Sequence, residues 1–327
     1  MHNLITAGII GAAGYTGGEL LRLLLRHPNV NITFAHSRSS AGLPVHHIHE
    51  DLLGETEMLF SATIDTQADV LFLCTGHGES ARILNGLDFP ATTRIIDLSQ
   101  DFRLNANAGF KGASFVYGLP EFQKAAIQQA QYIANPGCFA TAIQLALLPL
   151  AGVQPLQNVH ITGITGATGA GQKPVATSHF PWRSNNISAY KSLNHQHIAE
   201  ITETLNSLGA AVTDELHFIP WRGDFARGIF VTAIIRTGLT LAEAQSLYRS
   251  YYAAHPFTHL SDTAINMKQV VNTNKCLIQL EQQGKNLVVH AAIDNLLKGA
   301  SGQAVQNLNL LMGWDETLGL QLKPLAF

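Results

Sequence analysis

The sequence predicts a two-domain α/β protein, with a doubly wound parallel sheet in the first domain and an α+β second domain whose sheet is mixed or antiparallel. The first observation is an apolar run at residues 4–10, followed by a glycine-rich string and then by leucines at helical spacing. The second is a series of short apolar runs within the first 140 residues, separated by helical or polar segments. The third is a change to longer runs in the remainder of the chain.

The individual elements follow from hydrophobic periodicity and from helix breakers. In the first part we predict a helix after the glycine string that Pro28 ends, and strands at residues 4–10, 31–36, 70–74 and 94–97. In the second part we predict helices near residues 199–208 and 241–254, and strands at 159–164, 215–219, 230–235, 276–280 and 287–293. The predicted domains are residues 1–140, with a C-terminal helix from 300–327 packing back on them, and residues 141–299.

Composition narrows the classes of partner. Of the 327 residues, 46% are hydrophobic and 13% are charged, so a folded chain is expected rather than a disordered one. The formal net charge of -3 and the pI near 6.6 provide no electrostatic footprint for nucleic acid or an anionic membrane. The start has no secretory signal pattern, and no apolar run reaches the ~18 residues of a membrane span. We therefore expect a small-molecule partner, no nucleic acid and no membrane.

The cysteine pattern bears on compartment and on metals. Cys74, Cys138 and Cys276 are an odd number of cysteines without CxxC spacing. This argues against a disulfide framework and against a zinc site, so no metal is expected. The same usage is typical of the reducing cytosol, and we expect a cytoplasmic protein.

The glycine string after the first strand fits the pyrophosphate of a dinucleotide. Gly11, Gly14 and Gly17 are spaced GxxGxxG, with Tyr15 and Thr16 opening the next helix. Glycines let the backbone approach phosphates, and a helix N-terminus supplies N–H groups and a favourable dipole. This predicts a Rossmann-type dinucleotide-binding domain. The alternative is a plain strand-to-helix turn.

The end of the second strand indicates which dinucleotide binds. An NAD-specific domain would place Asp or Glu there to bind the ribose 2′-hydroxyl. This chain has Ser37, Arg38, Ser39 and Ser40 instead, and a cation with several hydroxyls suits a 2′-phosphate. We therefore predict NADP(H) as the cofactor. The alternative is that Arg38 is a solvated loop residue.

Cys138 is the candidate nucleophile. It follows Asn135, Pro136 and Gly137 and precedes an apolar helix, with Asn135 a candidate N-cap and Pro136 a suitable first helical residue. A thiol in the first helical turn gains thiolate character from the dipole and the amides, which can also hold an oxyanion. The other two cysteines lie in apolar strands and are expected to serve packing. The alternative for Cys138 is a small buried thiol.

His195 and His197 are the candidate acid/base pair. They form an HxH string at a loop-to-helix boundary, and an imidazole can move the protons that thiolate chemistry needs. The chain has 15 histidines, so the string alone could equally be part of a metal site or of a surface loop.

Arg103 and Arg227 are the candidate substrate-binding residues. Arg103 follows a strand end, and Arg227 precedes the strand near residue 230. Their planar guanidinium groups suit carboxylate or phosphate oxygens. The alternative for each is a surface or interdomain ion pair.

Taken together, these segments resemble the N-acetyl-γ-glutamyl-phosphate reductase family, within the wider semialdehyde dehydrogenase group, over nearly the whole chain. The strings that carry the resemblance occur in the same order as in the family, and they are GAAGYTGGEL from Gly11, DLS from Asp97 with Phe102-Arg103, YGLPE from Tyr117, NPGC from Asn135, GATGAG from Gly166, His195-x-His197 with Glu200-Ile201, Arg227-Gly228, and DNLLKGA from Asp294. The chain departs from the family at Ala140 and Ala199, where proline is usual, which puts only local backbone geometry in doubt.

The resemblance implies a mechanism and its residues. It implies that Cys138 carries the acyl group as a thioester and that the HxH pair supplies the acid/base, with His197 the first choice. It also implies that Gly169, Gly171 and Asn295 lie near the cofactor. The expected reaction is NADPH-dependent reduction of an acyl phosphate to a semialdehyde, in a homo-oligomer, either a dimer or a tetramer. The alternatives are aspartate-semialdehyde dehydrogenase or a related acyl-phosphate reductase, and a non-catalytic NADP-binding redox sensor.

Overall fold

The chain divides into two compact units in the computed structural model, which describes residues 4–209, 212 and 216–325. The first unit is Met1–Pro136 with Ala300–Gln321, and the second is Gly137–Gly299 with Leu322–Phe327. Within the part of the chain that is described, no helix has both the length and the apolar character needed to cross a membrane.

The first unit contains an eight-stranded sheet in the order β3-β2-β1-β4-β5-β8-β7-β6. Every neighbouring pair is parallel except β6–β7, and the winding reverses between β1 and β4, as in a Rossmann-type sheet. The prediction of a doubly wound α/β domain is confirmed. The strands are β1 (Ile5–Ile10), β2 (Val30–His36), β3 (Phe60–Ser61), β4 (Val70–Leu73), β5 (Arg94–Asp97), β6 (Gly109–Phe110), β7 (Ala113–Tyr117) and β8 (Tyr132–Ala134).

The helices of the first unit cover this sheet with apolar faces. They are α1 (Tyr15–Leu24), α2 (Glu79–Asn85), α3 (Pro120–Gln129) and the C-terminal helix, Gly302–Leu311. In α1 the leucines at 20, 21 and 24 are buried, which is the stripe that the helical spacing predicts. The C-terminal helix packs against α1 and α3, and its Asn307 Nδ2 donates to Gly118 O at 2.9 Å.

The second unit contains a seven-stranded mixed sheet in the order β10-β11-β9-β12-β15-β14-β13. The pairs β11–β9 and β13–β14 are parallel and the others antiparallel, so the predicted α+β architecture is confirmed. Glu215, at the start of one predicted strand, lies outside the described residues. The strands are β9 (His160–Thr165), β10 (Ser188–Ala189), β11 (His217–Arg222), β12 (Ile229–Arg236), β13 (Thr258–Ser261), β14 (Cys276–Gln283) and β15 (Asn286–Ile293).

The longest helix of the second unit is its central element. Every residue after the first in α4 is buried, and the helix packs against α6, α7, β12 and β15. Tyr248 and Tyr252 of α7 fix it further, because their hydroxyls donate to carbonyl oxygens of α4 at 2.5 Å. The helices are α4 (Cys138–Ala151), α5 (Phe180–Arg183), α6 (His197–Asn206) and α7 (Leu241–Tyr252).

Short helical turns complete the described chain. The 3-10 turns are Val45–His47, Glu50–Leu52, Asn105–Asn107, Ala167–Ala170, Ala176–Ser178 and Met267–Gln269. A π-helical turn, Leu297–Ser301, immediately precedes the C-terminal helix. Turns of this type are frequent at functional sites.

Candidate active site

Cys138 is the first residue of α4, which fixes the position of its thiol. The side chain is half-buried, and the N-cap of the helix is Gly137, which has an extended backbone and no capping side chain. The first-turn placement of the thiol that the sequence predicts is therefore confirmed. A thiol at this point lies at the positive end of the helix dipole.

The predicted cap of that helix is wrong. Neither Asn135 nor Pro136 belongs to the start of α4, because Asn135 follows strand β8 and remains in the sheet register. Its backbone N–H donates to Asp97 O at 2.7 Å, and its side-chain amide donates to Ala300 O at 3.0 Å. Asn307 Nδ2 donates to its Oδ1 at 3.0 Å. These long-range hydrogen bonds engage the polar groups that a cap would use.

Two glycines make room for the groups around the thiol. A Cβ on Gly137 would lie 2.3 Å from His197 Nε2, and a Cβ on Gly299 would lie 2.8 Å from Cys138 Cβ. Both distances are well below van der Waals contact, so each position requires glycine. Gly299 belongs to the π-helical turn, and its N–H donates to Asp294 O at 2.9 Å. The imidazole of His197 and the π-helical turn thus both abut the start of α4.

His197 is the first residue of α6, and His195 lies two residues before it. The ring centroids of His195 and His197 are 4.6 Å apart, and both side chains are buried. The backbone N–H of His197 donates to His195 Nδ1 at 3.3 Å, so a neutral His195 carries its proton on Nε2. The structure therefore brings Cys138, His195 and His197 together, as the sequence pattern predicts for a nucleophile and its acid/base.

Burial keeps His195 neutral. Loss of solvation, followed by the charges of Lys191 and Arg222, lowers the pKa of His195 to about 4. The ring is enclosed by Phe139, Phe218 and Tyr190, with centroid distances of 5.5–5.8 Å. At neutral pH this imidazole is a hydrogen-bond donor through Nε2 rather than a source of positive charge.

Glu200, which stands in one of the family strings, is a buried carboxylate for which the sequence predicted no role. One of its oxygens accepts from the Gly137 N–H at 3.2 Å, and the other lies 3.8 Å from His197 Nε2. The side chain lies three residues after His197 on the same face of α6. It links the imidazole to the backbone next to Cys138. A carboxylate one helical turn after a candidate histidine is the sequence signal that would have identified it.

Tyr190 and Arg222 also lie beside the histidines, and neither was predicted from the sequence. The rings of Tyr190 and His195 are 5.8 Å apart, and the Arg222 guanidinium lies 4.6 Å from the centre of the Tyr190 ring. Burial, together with the charge of Cys138, raises the pKa of Tyr190 to about 12, so its hydroxyl stays protonated. The pairing of β10 with β11 brings these residues close, and no local sequence pattern predicts that pairing.

The two arginines chosen from the sequence have protein partners. Arg103 is buried and donates to Asn135 O at 2.9 Å and to Leu98 O at 3.0 Å. Arg227 forms a bidentate ion pair with the buried Asp294, in which its Nε and Nη2 donate to the two carboxylate oxygens at 3.0 and 3.1 Å. Arg227 thus lies in the second unit with Cys138, whereas Arg103 lies in the first.

The glycine loop between β1 and α1 fits a dinucleotide phosphate. A Cβ on Gly11, whose φ is +83°, would lie 2.5 Å from Cys74 O, and a Cβ on Gly17 would lie 2.6 Å from Ala12. Gly14 is the N-cap of α1 and makes no side-chain capping bond. The amides of the first helical turn, which begins at Tyr15 and Thr16, are therefore not covered by a capping side chain, as anion binding requires.

The residues after β2 lie at the carboxyl end of the same sheet. Ser37 is buried, whereas Arg38 and Ser39 are exposed, and the Ser37 and Ser39 hydroxyls are 3.4 Å apart. The charge of Arg38 contributes, after burial, to lowering the pKa of neighbouring His36. Within the first unit, a cation and two hydroxyls thus follow the strand next to the glycine loop, which is where a 2′-phosphate would be bound.

The remaining cofactor candidates lie in the second unit. Gly171 ends a 3-10 turn with φ +79°, and Gly169 lies within that turn. Asn295 connects two loops, because its Oδ1 accepts from Gly228 N at 2.7 Å and its Nδ2 donates to Thr168 Oγ1 at 3.0 Å. The side-chain amide of Asn295 thus holds the loop that contains both glycines.

The other cysteines do not share the position of Cys138. Burial raises the pKa of Cys74 to about 12, so it remains a thiol, and Cys276 is buried at the start of β14. In the described ranges, no group of three or more His, Cys, Asp or Glu side chains is arranged to hold a metal.

Family models match both units. Residues 6–130 match the semialdehyde dehydrogenase NAD binding domain, and residues 138–295 match the semialdehyde dehydrogenase dimerisation domain. The second match begins at Cys138 itself.

Full-length relatives carry one name. The chain is 53% identical over 325 residues to the N-acetyl-gamma-glutamyl-phosphate reductase of Flavobacterium johnsoniae, covering 99% of this chain and 100% of that protein. It is 52% identical to the protein of that name from Christiangramia forsetii, covering 98% and 99%, and 51% identical to that from Bacteroides thetaiotaomicron, covering 99% and 100%.

Solved structures share the fold at low sequence identity. Aspartate semialdehyde dehydrogenase II from Vibrio cholerae, complexed with ASA, has a TM-score of 0.72 and 16% identity, covering 95% of this chain and 99% of that one. Aspartate semialdehyde dehydrogenase from Candida albicans, solved with NADP, has a TM-score of 0.64 and 14% identity, covering 95% and 99%.

Proposed function

The chain belongs to the N-acetyl-γ-glutamyl-phosphate reductase family of the semialdehyde dehydrogenases, and we propose on this basis that it reduces N-acetyl-glutamyl 5-phosphate to N-acetyl-glutamate 5-semialdehyde and phosphate. NADPH is the reductant, and the reaction is a step of arginine biosynthesis. The observation that carries the proposal is the half-buried thiol of Cys138 at the start of α4, with His197 packed on the preceding glycine. A covalent mechanism needs a nucleophile and a proton-transfer group this close.

Cys138 forms and breaks the covalent bond to the substrate. Its Sγ attacks the γ-carbonyl carbon of the acyl phosphate, and the bond to the phosphate oxygen breaks, so that phosphate leaves with the electron pair and a thioester remains. A thioester carbonyl accepts hydride, whereas a carboxylate is too electron-rich to do so. When bound, NADPH supplies that hydride. The C–S bond then breaks, the thiolate of Cys138 is regenerated, and the aldehyde is released.

His197 moves the protons in this scheme. It is the imidazole packed against the residue before the nucleophile, and Glu200 lies 3.8 Å from its Nε2 while accepting from the Gly137 amide. We therefore assign Glu200 the role of a positioning residue. His195 supports the pair by accepting from the His197 N–H and by offering its own Nε2–H.

The oxyanion of both tetrahedral steps is placed at the amino end of α4. The first amides of an α-helix have no intrahelical acceptor, and the helix dipole favours negative charge there. The Gly137 N–H already donates to Glu200, so this role falls to amides of the first helical turn rather than to Gly137.

Cofactor binding and catalysis are assigned to different units. We assign cofactor binding to the first unit, where Gly11, Gly14, Tyr15, Thr16 and Gly17 would hold the pyrophosphate through backbone amides. In that unit Ser37, Arg38 and Ser39 would hold the 2′-phosphate. The second unit supplies the chemistry, and its Gly169, Gly171 and Asn295 are proposed to lie near the nicotinamide.

Arg103 and Arg227 remain candidates for substrate binding. Both already donate to protein acceptors, so any contact with a substrate anion would add to a structural role.

Assembly and compartment complete the proposal. The match to a dimerisation domain supports a homo-oligomer, which we propose to be a dimer or tetramer. The odd number of cysteines without CxxC spacing supports a cytoplasmic location.

The test is phosphate-dependent reduction of NADP⁺ by N-acetyl-glutamate semialdehyde, followed at 340 nm. The proposal predicts turnover that needs both the semialdehyde and phosphate. A higher kcat/KM with aspartate semialdehyde would favour aspartate-semialdehyde dehydrogenase activity instead. Cofactor binding without any turnover would favour a redox-sensing protein in which Cys138 is an oxidation switch.

A further inference from the structure

Arg222 is a cation that forms no ion pair with any carboxylate of the described residues. It is the last residue of β11, and its guanidinium lies 4.6 Å from the centre of the Tyr190 ring. Its Nε is buried, and residues 4–209, 212 and 216–325 provide no acceptor for this atom. A buried donor that lacks an acceptor is costly, and such groups in folded proteins normally have a ligand or water to bind.

Two other arginines of the second unit differ from Arg222, because each has a carboxylate partner. Arg227 pairs with Asp294, and Arg249 pairs with Asp262. Arg183 also has a buried Nε without an acceptor among the described residues, but its terminal nitrogens donate to backbone carbonyls. One of these is the carbonyl of Arg222, at 3.2 Å, which fixes the end of β11. The fold therefore holds the backbone of Arg222 in place while leaving its charge uncompensated by the described carboxylates.

Arg222 lies near His195 and His197, with Tyr190 between them. Its partner in β10 is Ser188, two residues before Tyr190. The Tyr190 ring lies 5.8 Å from the His195 ring, which lies 4.6 Å from the His197 ring. The electrostatics agree with this proximity, because burial and then the charges of Lys191 and Arg222 lower the pKa of His195. Burial and then the charge of Cys138 raise the pKa of Tyr190, and Arg222 opposes that rise. A cation thus stands one aromatic ring away from the acid/base pair.

We infer that Arg222 binds an oxyanion of the substrate. The inference rests on the proposed function, which supplies a substrate with two anionic groups, the α-carboxylate and the phosphate. A guanidinium group suits either through paired N–H donors, and it stays charged at every working pH. The guanidinium lies over the Tyr190 ring and hydrogen-bonds the Tyr190 side chain, and its Nε–H is the donor that the anion would engage.

Steady-state kinetics in the phosphorylating direction test the inference, because there the carboxylate and the phosphate arrive on separate substrates. We compare Arg222→Gln with Arg236→Gln, an exposed arginine at the far end of β12. Arg222→Gln is expected to raise one KM by about 10-fold or more, with the KM for NADP⁺ unchanged. A raised KM for the semialdehyde assigns the carboxylate, and a raised KM for phosphate assigns the phosphate. Arg236→Gln is expected to behave as the wild-type enzyme.

Unchanged KM values for both the semialdehyde and phosphate in Arg222→Gln would overturn the inference. If the wild-type and Arg236→Gln enzymes fail to turn over, the proposed function fails instead. If Arg222→Gln does not fold, modification of the wild-type enzyme by phenylglyoxal tests the inference instead. N-acetyl-glutamate semialdehyde or inorganic phosphate is then expected to slow modification of Arg222 at least about 5-fold, as mapped by peptide mass spectrometry, and absence of protection by either would overturn the inference.

Discussion

The imidazole of His197 occupies the space that a side chain at position 137 would need, since a Cβ there would lie 2.3 Å from Nε2. The same glycine donates its N–H to Glu200, which in turn lies 3.8 Å from that Nε2. One residue without a side chain therefore sets the distance between the acid/base and the thiol of Cys138. This relationship makes the position of His197 testable by adding a single methyl group.

Gly137→Ala is expected to displace His197 and to lower kcat by about 100-fold, because displacements near 1 Å at a catalytic group cost that much. The backbone of Gly137 has φ -69° and ψ 150°, which alanine adopts without strain, so folding should survive. The measurement is steady-state turnover together with a thermal melt. The matched control is Gly152→Ala, at the other end of α4, where a Cβ would have its nearest neighbouring atom 3.7 Å away. Wild-type kcat in Gly137→Ala would refute the assigned role of His197.

Arg38→Ala tests cofactor choice. If the guanidinium binds the 2′-phosphate, its removal should weaken NADPH by about 10- to 100-fold and leave NADH little changed, as expected for a charge-assisted hydrogen bond. Dissociation constants from quenching of protein fluorescence measure both. Arg82→Ala, an exposed arginine on α2 paired with Glu79, serves as the control. Equal weakening of the two cofactors would remove Arg38 from the 2′-phosphate site.

Acid stability tests the buried state of His195. Its pKa is about 4 in the folded protein and near 6.5 in the unfolded chain, so the unfolded chain takes up the proton first as the pH falls. The free energy of unfolding should therefore decrease between about pH 6.5 and pH 4. In His195→Asn this decrease should be smaller, as measured by urea unfolding at several pH values. The control is His179→Asn, at an exposed position, which should leave the pH dependence of stability as in the wild type. A wild-type pH dependence in His195→Asn would contradict the buried, neutral state of His195.

Arg227→Ala tests the buried ion pair. Asp294 has no exposed surface, and removal of the guanidinium leaves its carboxylate with the N–H groups of Asn272, Leu296 and Leu297. The expected loss is about 3 kcal/mol of unfolding free energy. Chemical unfolding measures it. Arg249→Ala, which breaks the exposed pair with Asp262, should cost less than about 1 kcal/mol. Similar losses in the two variants would contradict a structural role for Arg227.

The features that local sequence determines could be predicted. The α/β class, the strands β1, β2, β4 and β5, and the first-turn placement of Cys138 all follow from apolar runs, glycines and a helix start within a few residues. The shorter strands β3, β6 and β8 were not predicted, because two or three residues provide too little periodicity.

What depends on long-range pairing could not be predicted. Tyr190 and Arg222 meet only because β10 pairs with β11 across more than thirty residues. Asn135 has the sequence of a helix cap, yet Asn307 and Ala300, far along the chain, engage its side chain instead. Glu200 was within reach of helical spacing alone, since it follows His197 by three residues.

The central claim is that the acyl group is carried on Cys138. With N-acetyl-glutamate semialdehyde and NADP⁺ but no phosphate, the thiolate should add to the aldehyde carbon to form a hemithioacetal. Transfer of the hydride on that carbon to NADP⁺ then leaves a thioester. The resulting thioester then accumulates because nothing releases it. Cys138→Ser is the control, since a serine hydroxyl at neutral pH forms almost no alkoxide.

Rapid-quench intact and peptide mass spectrometry is the most direct measurement of that claim. The account predicts one N-acetylglutamyl group per chain on the peptide containing Cys138, a matching burst of NADPH, and loss of both in Cys138→Ser. The His197→Asn enzyme should still form the adduct but have a lower kcat, and His195→Asn should lower kcat less. An acyl group on any other residue, or substantial turnover by Cys138→Ser, would contradict the thioester mechanism.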